Sequence, residues 1–288
     1  VTLFSKRRAL HCALAAAACV AVLGLPGAAA GAGGPAAYRH LGTWVDIFDG
    51  PVLSSPSSSV AQMKNKGVDT IYIETANAAS ATFVNRSAVG QLVQFAHNKG
   101  IKVVAWTLPG HSNEADDWAK AKAAIRFKSS RGDRFDGFAL DIESTQVSNI
   151  KTRNSRLLAL SKKINQATAL PLGAITYSPV FINGPWPNFP WARVAKIYDV
   201  FLPMAYSSYH YNSESSVRKY TEKAVKILRQ KTSSGQPIHV VGGIADKMSG
   251  SETRGFVRAL INKNVAGGSL YDFRTSDSAD WKRLANVP

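Results

Sequence analysis

A chain of 288 residues, 45% of them hydrophobic, can bury a sizeable core in one large domain, which excludes an intrinsically disordered protein. Its formal charge of +16 draws it toward polyanions, but no basic cluster interleaves with stacking aromatics as a nucleic-acid groove requires, so nucleic acid is not an expected partner. The only cysteines, Cys12 and Cys19, lie near the amino terminus, and the histidines show no metal-ligand spacing; no disulfide framework, metal centre or other cofactor is expected.

Along the chain, Lys6, Arg7 and Arg8 precede an apolar run from Ala9 to Leu25 and small residues from Gly27 to Ala32, the layout of an export signal cleaved after Ala30 or Ala32. The expected division is a signal peptide over 1–30, a linker over 31–37 and one catalytic-type domain over 38–288. A retained anchor is the weaker reading, because the apolar run is short for a bilayer span and no later stretch is apolar enough for one. Loss of the leader would remove both cysteines and lower the formal charge to +13. A basic, thiol-free protein of this kind is expected to be secreted or extracellular, monomeric and free of membrane, with cell-wall polymers or acidic glycans as the polyanions it meets.

Beyond the linker, eight strand-like runs alternate with helix-like ones. Leu41 to Phe48 reads as the first strand, followed by a Ser/Pro-rich loop from Ser54 to Ser59 and a short helix from Val60 to Lys66. Val68 to Thr75 and Ile101 to Thr107 are the next strands, with helices over Val89 to Asn98 and Glu114 to about Lys128. The fourth strand ends at Glu143 and leads to a helix from Ile150 to Ala167. Leu172 to Tyr177, Val200 to Tyr206, Ile238 to Ile244 and Gly268 to Phe273 complete the strands. Their helices run over Trp191 to Tyr198, Ser215 to Lys231, Ser251 to Asn262 and Trp281 to Leu284. Lys66-Gly67, Lys99-Gly100 and Asn264 stand where helices should stop. Eight such units point to a closed (β/α)8 TIM barrel; an open doubly wound sheet is weaker, since no Gly-x-Gly-x-x-Gly turn follows any strand.

The fourth strand organises the rest. With a two-residue period, Phe138, Leu140 and Ile142 share one face, while Gly137, Ala139, Asp141 and Glu143 share the other. Alone, an Asp-x-Glu pair fits a lysine contact or a helix cap; at the C-terminal end of an inner barrel strand it fits chemistry. The other strand ends offer Asp46 and Asp49, Tyr72 and Glu74, Trp106, Tyr177, Met204 and Tyr206, Asp246, and Tyr271 and Asp272. Acids beside flat rings suit a sugar: a carboxyl can protonate a glycosidic oxygen, and a ring can take the C–H face of a pyranose. The loop from Gly184 to Trp191 and the Tyr206 to Tyr211 run offer either further platforms or core packing. His111 and His210 read best as solvated loop residues.

Phe135-Asp136-Gly137-Phe138-Ala139-Leu140-Asp141-Ile142-Glu143 resembles the fourth-strand signature of family 18 glycoside hydrolases, the chitinases and their relatives, Asp-Gly-x-Asp-x-Asp-x-Glu. Pro203-Met204-Ala205-Tyr206 resembles their sixth-strand Met-x-Tyr. The resemblance implies Glu143 as general acid, Asp141 as the group that orients the substrate's N-acetyl group, Tyr206 as its hydrogen-bond partner, and the acetamido oxygen as nucleophile. Substrate contacts are expected, from their places at the strand ends, for Asp46, Glu74, Trp106, Tyr177, Met204, Asp246, Tyr271 and Asp272. Ala139 departs from the signature, standing where the family has its middle aspartate, and Tyr271 or Asp272 stands near the family's closing tryptophan. Leu140 to Glu143 also resembles the Asp-x-Glu of family 25 lysozymes, and Asp46 suits that pattern. The expected function is hydrolysis of a chitin-like or peptidoglycan polysaccharide; a carbohydrate-binding barrel without activity is the alternative.

Overall fold

The computed structural model describes residues 35–233 and 235–288; the expected export signal and the first part of the expected linker lie outside them. Eight parallel strands close into one barrel in chain order. They are β1 (His40–Val45), β2 (Thr70–Asn77), β3 (Lys102–Leu108), β4 (Gly137–Ile142), β5 (Leu172–Tyr177), β6 (Val200–Met204), β7 (His239–Ile244) and β8 (Gly267–Tyr271). Around them stand α1 (Gly50–Ser54), α2 (Pro56–Asn65), α3 (Arg86–Asn98), α4 (Glu114–Ile125), α5 (Ile150–Ala167), α6 (Trp191–Val194), α7 (Glu214–Thr232), α8 (Gly250–Lys263) and α9 (Ser278–Leu284). Among the described residues, no helix is long and apolar enough to cross a membrane.

Alternation along the strands sorts side chains into two packed layers. Ile71 and Ile73 of β2, and Phe138, Leu140 and Ile142 of β4, face the helices in the larger cluster. Tyr72, Val104, Trp106, Ala139, Ile175, Leu202 and Val241 fill the barrel interior. The helices stop where expected: Lys66 and Lys99 end α2 and α3, each followed by a glycine at positive φ, and Asn264 ends α8 at φ 46°.

The floor is set by a residue the sequence places only at the edge of a linker. Pro35 to Ala37 is not a free tether: Ala36–Tyr38 forms a 3-10 turn, and Tyr38 enters the interior with no exposed surface. Its hydroxyl lies 2.8 Å from Phe138 O and 3.0 Å from Pro171 O. Gly137 and Gly173 make room for the ring, since a Cβ at Gly173 would come within 2.7 Å of Tyr38 Cε1. The stretch from Ser54 to Ser59 is also corrected, because Pro56 opens α2 rather than a loop; proline's fixed φ and missing N–H suit the first helical turn.

Candidate active site

At the C-terminal ends of the strands, Trp106, Asp141, Met204, Tyr206 and Tyr271 line one pocket, joined by Trp44, Ile175 and Val241. Strand direction explains the convergence, for inward positions on β3, β4, β6 and β8 meet over the barrel axis. Trp44, the largest contributor missed in the sequence, stands two residues before Asp46 and so shares its inward register. Its ring stacks on Tyr72 at 4.5 Å, and its Nε1 donates to Ser269 Oγ at 2.8 Å. Ser269 lies 3.0 Å from His239 Nε2, and His239 Nδ1 lies 3.1 Å from Tyr38 O. Since Ser269 already accepts from Trp44, its own proton goes to His239 Nε2, leaving Nδ1–H to donate to the carbonyl. Burial holds His239 neutral, lowering its pKa to about 3. Trp44 is thus fixed from below by a satisfied polar chain, with Tyr72 beneath it rather than in the pocket.

The acids divide into three settings. Asp141 is 6% exposed, and its Oδ1 has no hydrogen-bond partner among the described residues. Burial, then Glu143, then Glu74 push its carboxyl well above the usual range. Burial also raises Glu143, which is partly exposed, and the Tyr177 hydroxyl donates to the Glu143 carbonyl at 2.8 Å. Among the described residues, no lysine or arginine forms an ion pair with either acid. Tyr206 stays a protonated donor: burial, then Asp141, Glu143 and Asp272, raise it well above an ordinary phenol.

On the β1 and β8 side, Tyr271 donates to Asp46 Oδ2 at 2.9 Å, and Arg274 pairs with the buried Asp49 at 3.2 Å. Burial raises Asp49 to about 6, against the Asp46 N–H that favours its anion. Asp46, Asp49 and Asp272 each bring an oxygen within 4.8 Å of the others, but each also meets a protein donor, Asp272 through Thr275. Asp246 is not brought to the pocket: it is exposed on the turn after β7 and pairs with Lys247 at 3.3 Å.

Two loop readings are settled by packing. Trp186 and Trp191 belong to the layer between strands and helices, with Trp186 fully buried. Its Nε1 donates to Asn154 at 2.8 Å, and the Arg153 guanidinium lies over its ring at 4.8 Å. This loop is therefore core and not a sugar platform. His111 is not solvated either, packing edge-on against Trp186 with its pKa lowered to about 4 by burial and by Arg153 and Arg156. His210 is exposed, as is Tyr209 beside it.

No protein-family model matches this sequence, and no curated protein matches it. Solved structures do match the fold. A chitinase from Bacteroides thetaiotaomicron superposes with a TM-score of 0.63 at 11% identity, covering 86% of this chain and 95% of that one. The family 18 chitinase of Cycas revoluta, in complex with allosamidin, gives 0.62 at 12% identity, covering 86% and 98%. An endo-1,4-beta-mannanase from Rhizomucor miehei gives 0.64 at 9% identity, covering 82% and 86%. The chain thus has a glycoside hydrolase-like (β/α)8 fold, similar to that of the family 18 chitinases.

Proposed function

We propose that this chain is an exported glycoside hydrolase that cuts an N-acetylhexosamine polymer, chitin-like or peptidoglycan, with retention and with the substrate's acetamido oxygen as nucleophile. The observation that carries the reading is the Asp141 and Glu143 pair: acids two residues apart at the end of β4, Asp141 buried in the aromatic pocket and Glu143 half-buried, neither paired with a cation among the described residues. Two carboxyls in such a place resist losing both protons, so the pair keeps one near neutral pH. An acetamide N–H offered to Asp141 Oδ1 favours the anion there and leaves the proton on Glu143. Glu143 then gives that proton to the glycosidic oxygen as its bond to the anomeric carbon breaks and the acetamido oxygen bonds to that carbon. Asp141 faces the positive charge that develops on the acetamido group, and Tyr206 donates a hydrogen bond to it. Water then attacks the anomeric carbon, its proton returns to Glu143, and the acetamido oxygen is released.

The test is release of reducing ends from chitin oligosaccharides and peptidoglycan. Glu143→Gln should lower turnover by about 100- to 10,000-fold while calorimetry still detects glycan binding. Asp141→Asn should slow the reaction too, and a de-N-acetylated substrate should be inert. Hydrolysis unchanged by Glu143→Gln would show that another group is the acid. Ala139 favours the second reading, a glycan-binding barrel, because no middle carboxylate stands on β4; wild-type protein that binds N-acetylated glycans but releases no reducing ends over a wide pH range would establish it.

A further inference from the structure

Ala139 lies in a row of the sheet with another acid. Glu74 of β2 pairs with Trp106 of β3, and Trp106 pairs with Ala139 of β4. Alternation from Tyr72, whose ring is in the interior, turns Glu74 inward as well. The β2–β3 register shifts between Glu74 and Ala76, and such irregularities at a barrel rim re-aim side chains. The Glu74 carboxylate is held at both oxygens: Ile47 N–H donates to Oε2 and Asn77 Nδ2 to Oε1, each at 3.1 Å. Glu74 is 5% exposed, and among the described residues no lysine or arginine pairs with it. A buried acid fixed by neutral donors stays aimed into the barrel, and no step of the cleavage above uses it.

We propose that Glu74 supplies from β2 the negative partner that β4 lacks at Ala139, and that it is a positioning residue for the Asp141 and Glu143 pair. The proposal rests on the reading of that pair as the catalytic one. The Glu74 charge reaches Asp141 and works in the same direction as burial and Glu143, holding a proton on the pair. Burial raises Glu74 itself, while the Ile47 and Asn77 hydrogen bonds favour its anion. The other titratable groups around the pair are Tyr177 from β5, Tyr206 from β6, Tyr271 and Asp272 from β8, and Asp46 and Asp49 after β1. Positive charge comes from Arg274, which pairs with Asp49, and from Arg153 of α5, which acts on Tyr177; β3 and β7 present Trp106 and Val241, which do not titrate. With Glu74 uncharged, the pair should lose its last proton at lower pH.

Glu74→Gln keeps the shape and one acceptor oxygen. The alkaline limb of its kcat/KM profile should move down by about one pH unit, and Glu74→Asp, which keeps the charge, should move it less. A merely structural Glu74 would lower kcat/KM at every pH and leave the limb in place, which would overturn the proposal. Carbon-13 NMR of the carboxyl groups reads the same shift without turnover: the Asp141 midpoint should fall in Glu74→Gln. An unmoved midpoint in the folded variant refutes the role of Glu74 even if the wild type cleaves glycan. A wild type that cleaves nothing while the midpoint moves refutes the hydrolase reading and leaves the coupling standing. Should Glu74→Gln not fold, wild-type titration read at the Glu74 carboxyl carbon decides: a second step at the Asp141 midpoint is expected from coupling, and its absence overturns the proposal.

Discussion

At the scale of single residues, the site centres on Asp141 and Glu143, which carry no counter-ion among the described residues, and Ala139 shows how narrow the arrangement is. It has no exposed surface and packs in the interior with Tyr38, Val104, Trp106 and Leu202. On its β5 side, a Cβ built on Gly173 would sit 3.2 Å from the Ala139 methyl, so the two small residues already meet closely. An aspartate at 139 would have to find a hydrogen bond among apolar neighbours. Ala139→Asp is expected to lower stability by about 1–3 kcal/mol, the cost of a buried polar group without a partner, and to lower Tm by several degrees in thermal denaturation. A variant as stable as wild type and with a shifted pH optimum would mean instead that β4 can host the family's carboxylate pair. The Asp141 and Glu143 positions were legible because a two-residue period fixes which side chains share a face. The fate of Trp186 was not legible, because a tryptophan in a loop looks the same in sequence whether Asn154 and Arg153 reach it or a sugar does.

At the scale of elements, agreement follows the strength of the local pattern. The fifth strand and the helix before it run over Leu172–Tyr177 and Ile150–Ala167 in both the sequence reading and the structure. In that helix, Leu157, Leu160 and Ile164 repeat on one buried face, and Asn149 caps its start by accepting from Thr152 N–H. The stretch after the first strand carried no such stripe, and its serines masked the proline that begins α2. The 3-10 turn at Ala36–Tyr38 was invisible for another reason: three residues have no periodicity, and Tyr38 reveals its place only through partners 100 and 133 positions away. Its role can be isolated with Tyr38→Phe, which keeps the ring against Gly137 and Gly173 but removes the donor that lies between the carbonyls of Phe138 and Pro171, the second of which also accepts the Phe138 N–H. The expected loss is about 0.5–1.5 kcal/mol in urea denaturation, with little change in the slope against denaturant. An unchanged midpoint would show that those carbonyls are satisfied without the hydroxyl.

At the scale of the whole barrel, the two ends of β4 treat their acids in opposite ways. Asp141 and Glu143 end β4 without a cation, whereas Asp136, just before the same strand, is clamped. It accepts from His97 Nε2 at 2.9 Å, from Lys102 Nζ at 3.0 Å and from the Val103 N–H at 2.9 Å, while His97 Nδ1 lies 3.4 Å from Asp133. This contrast fits the division of labour in such barrels, with stability at the N-terminal face and chemistry at the C-terminal face. Both ring nitrogens of His97 face carboxylates, so the charged imidazolium satisfies both; its pKa is raised, the hydrogen bond it donates to Asp136 contributing most. Because the folded value lies above the unfolded one, the histidine's contribution is complete below about pH 6.5 and is lost as pH rises through the folded value. Asp133 and Asp136 are lowered, so their contribution is complete above about pH 3.9 and is lost as pH falls through their folded values. The clamp should therefore be strongest between about pH 4 and 6.5. His97→Gln should lower Tm most within that window and progressively less above it. Since the side chains are about a quarter exposed, at 27% for His97 and 18–24% for its partners, the difference should not exceed about 1 kcal/mol, or roughly 2–4 °C. A Tm difference that stays constant from pH 5 to 9, on the order of the same few degrees throughout, would show that His97 acts by packing and not by its charge.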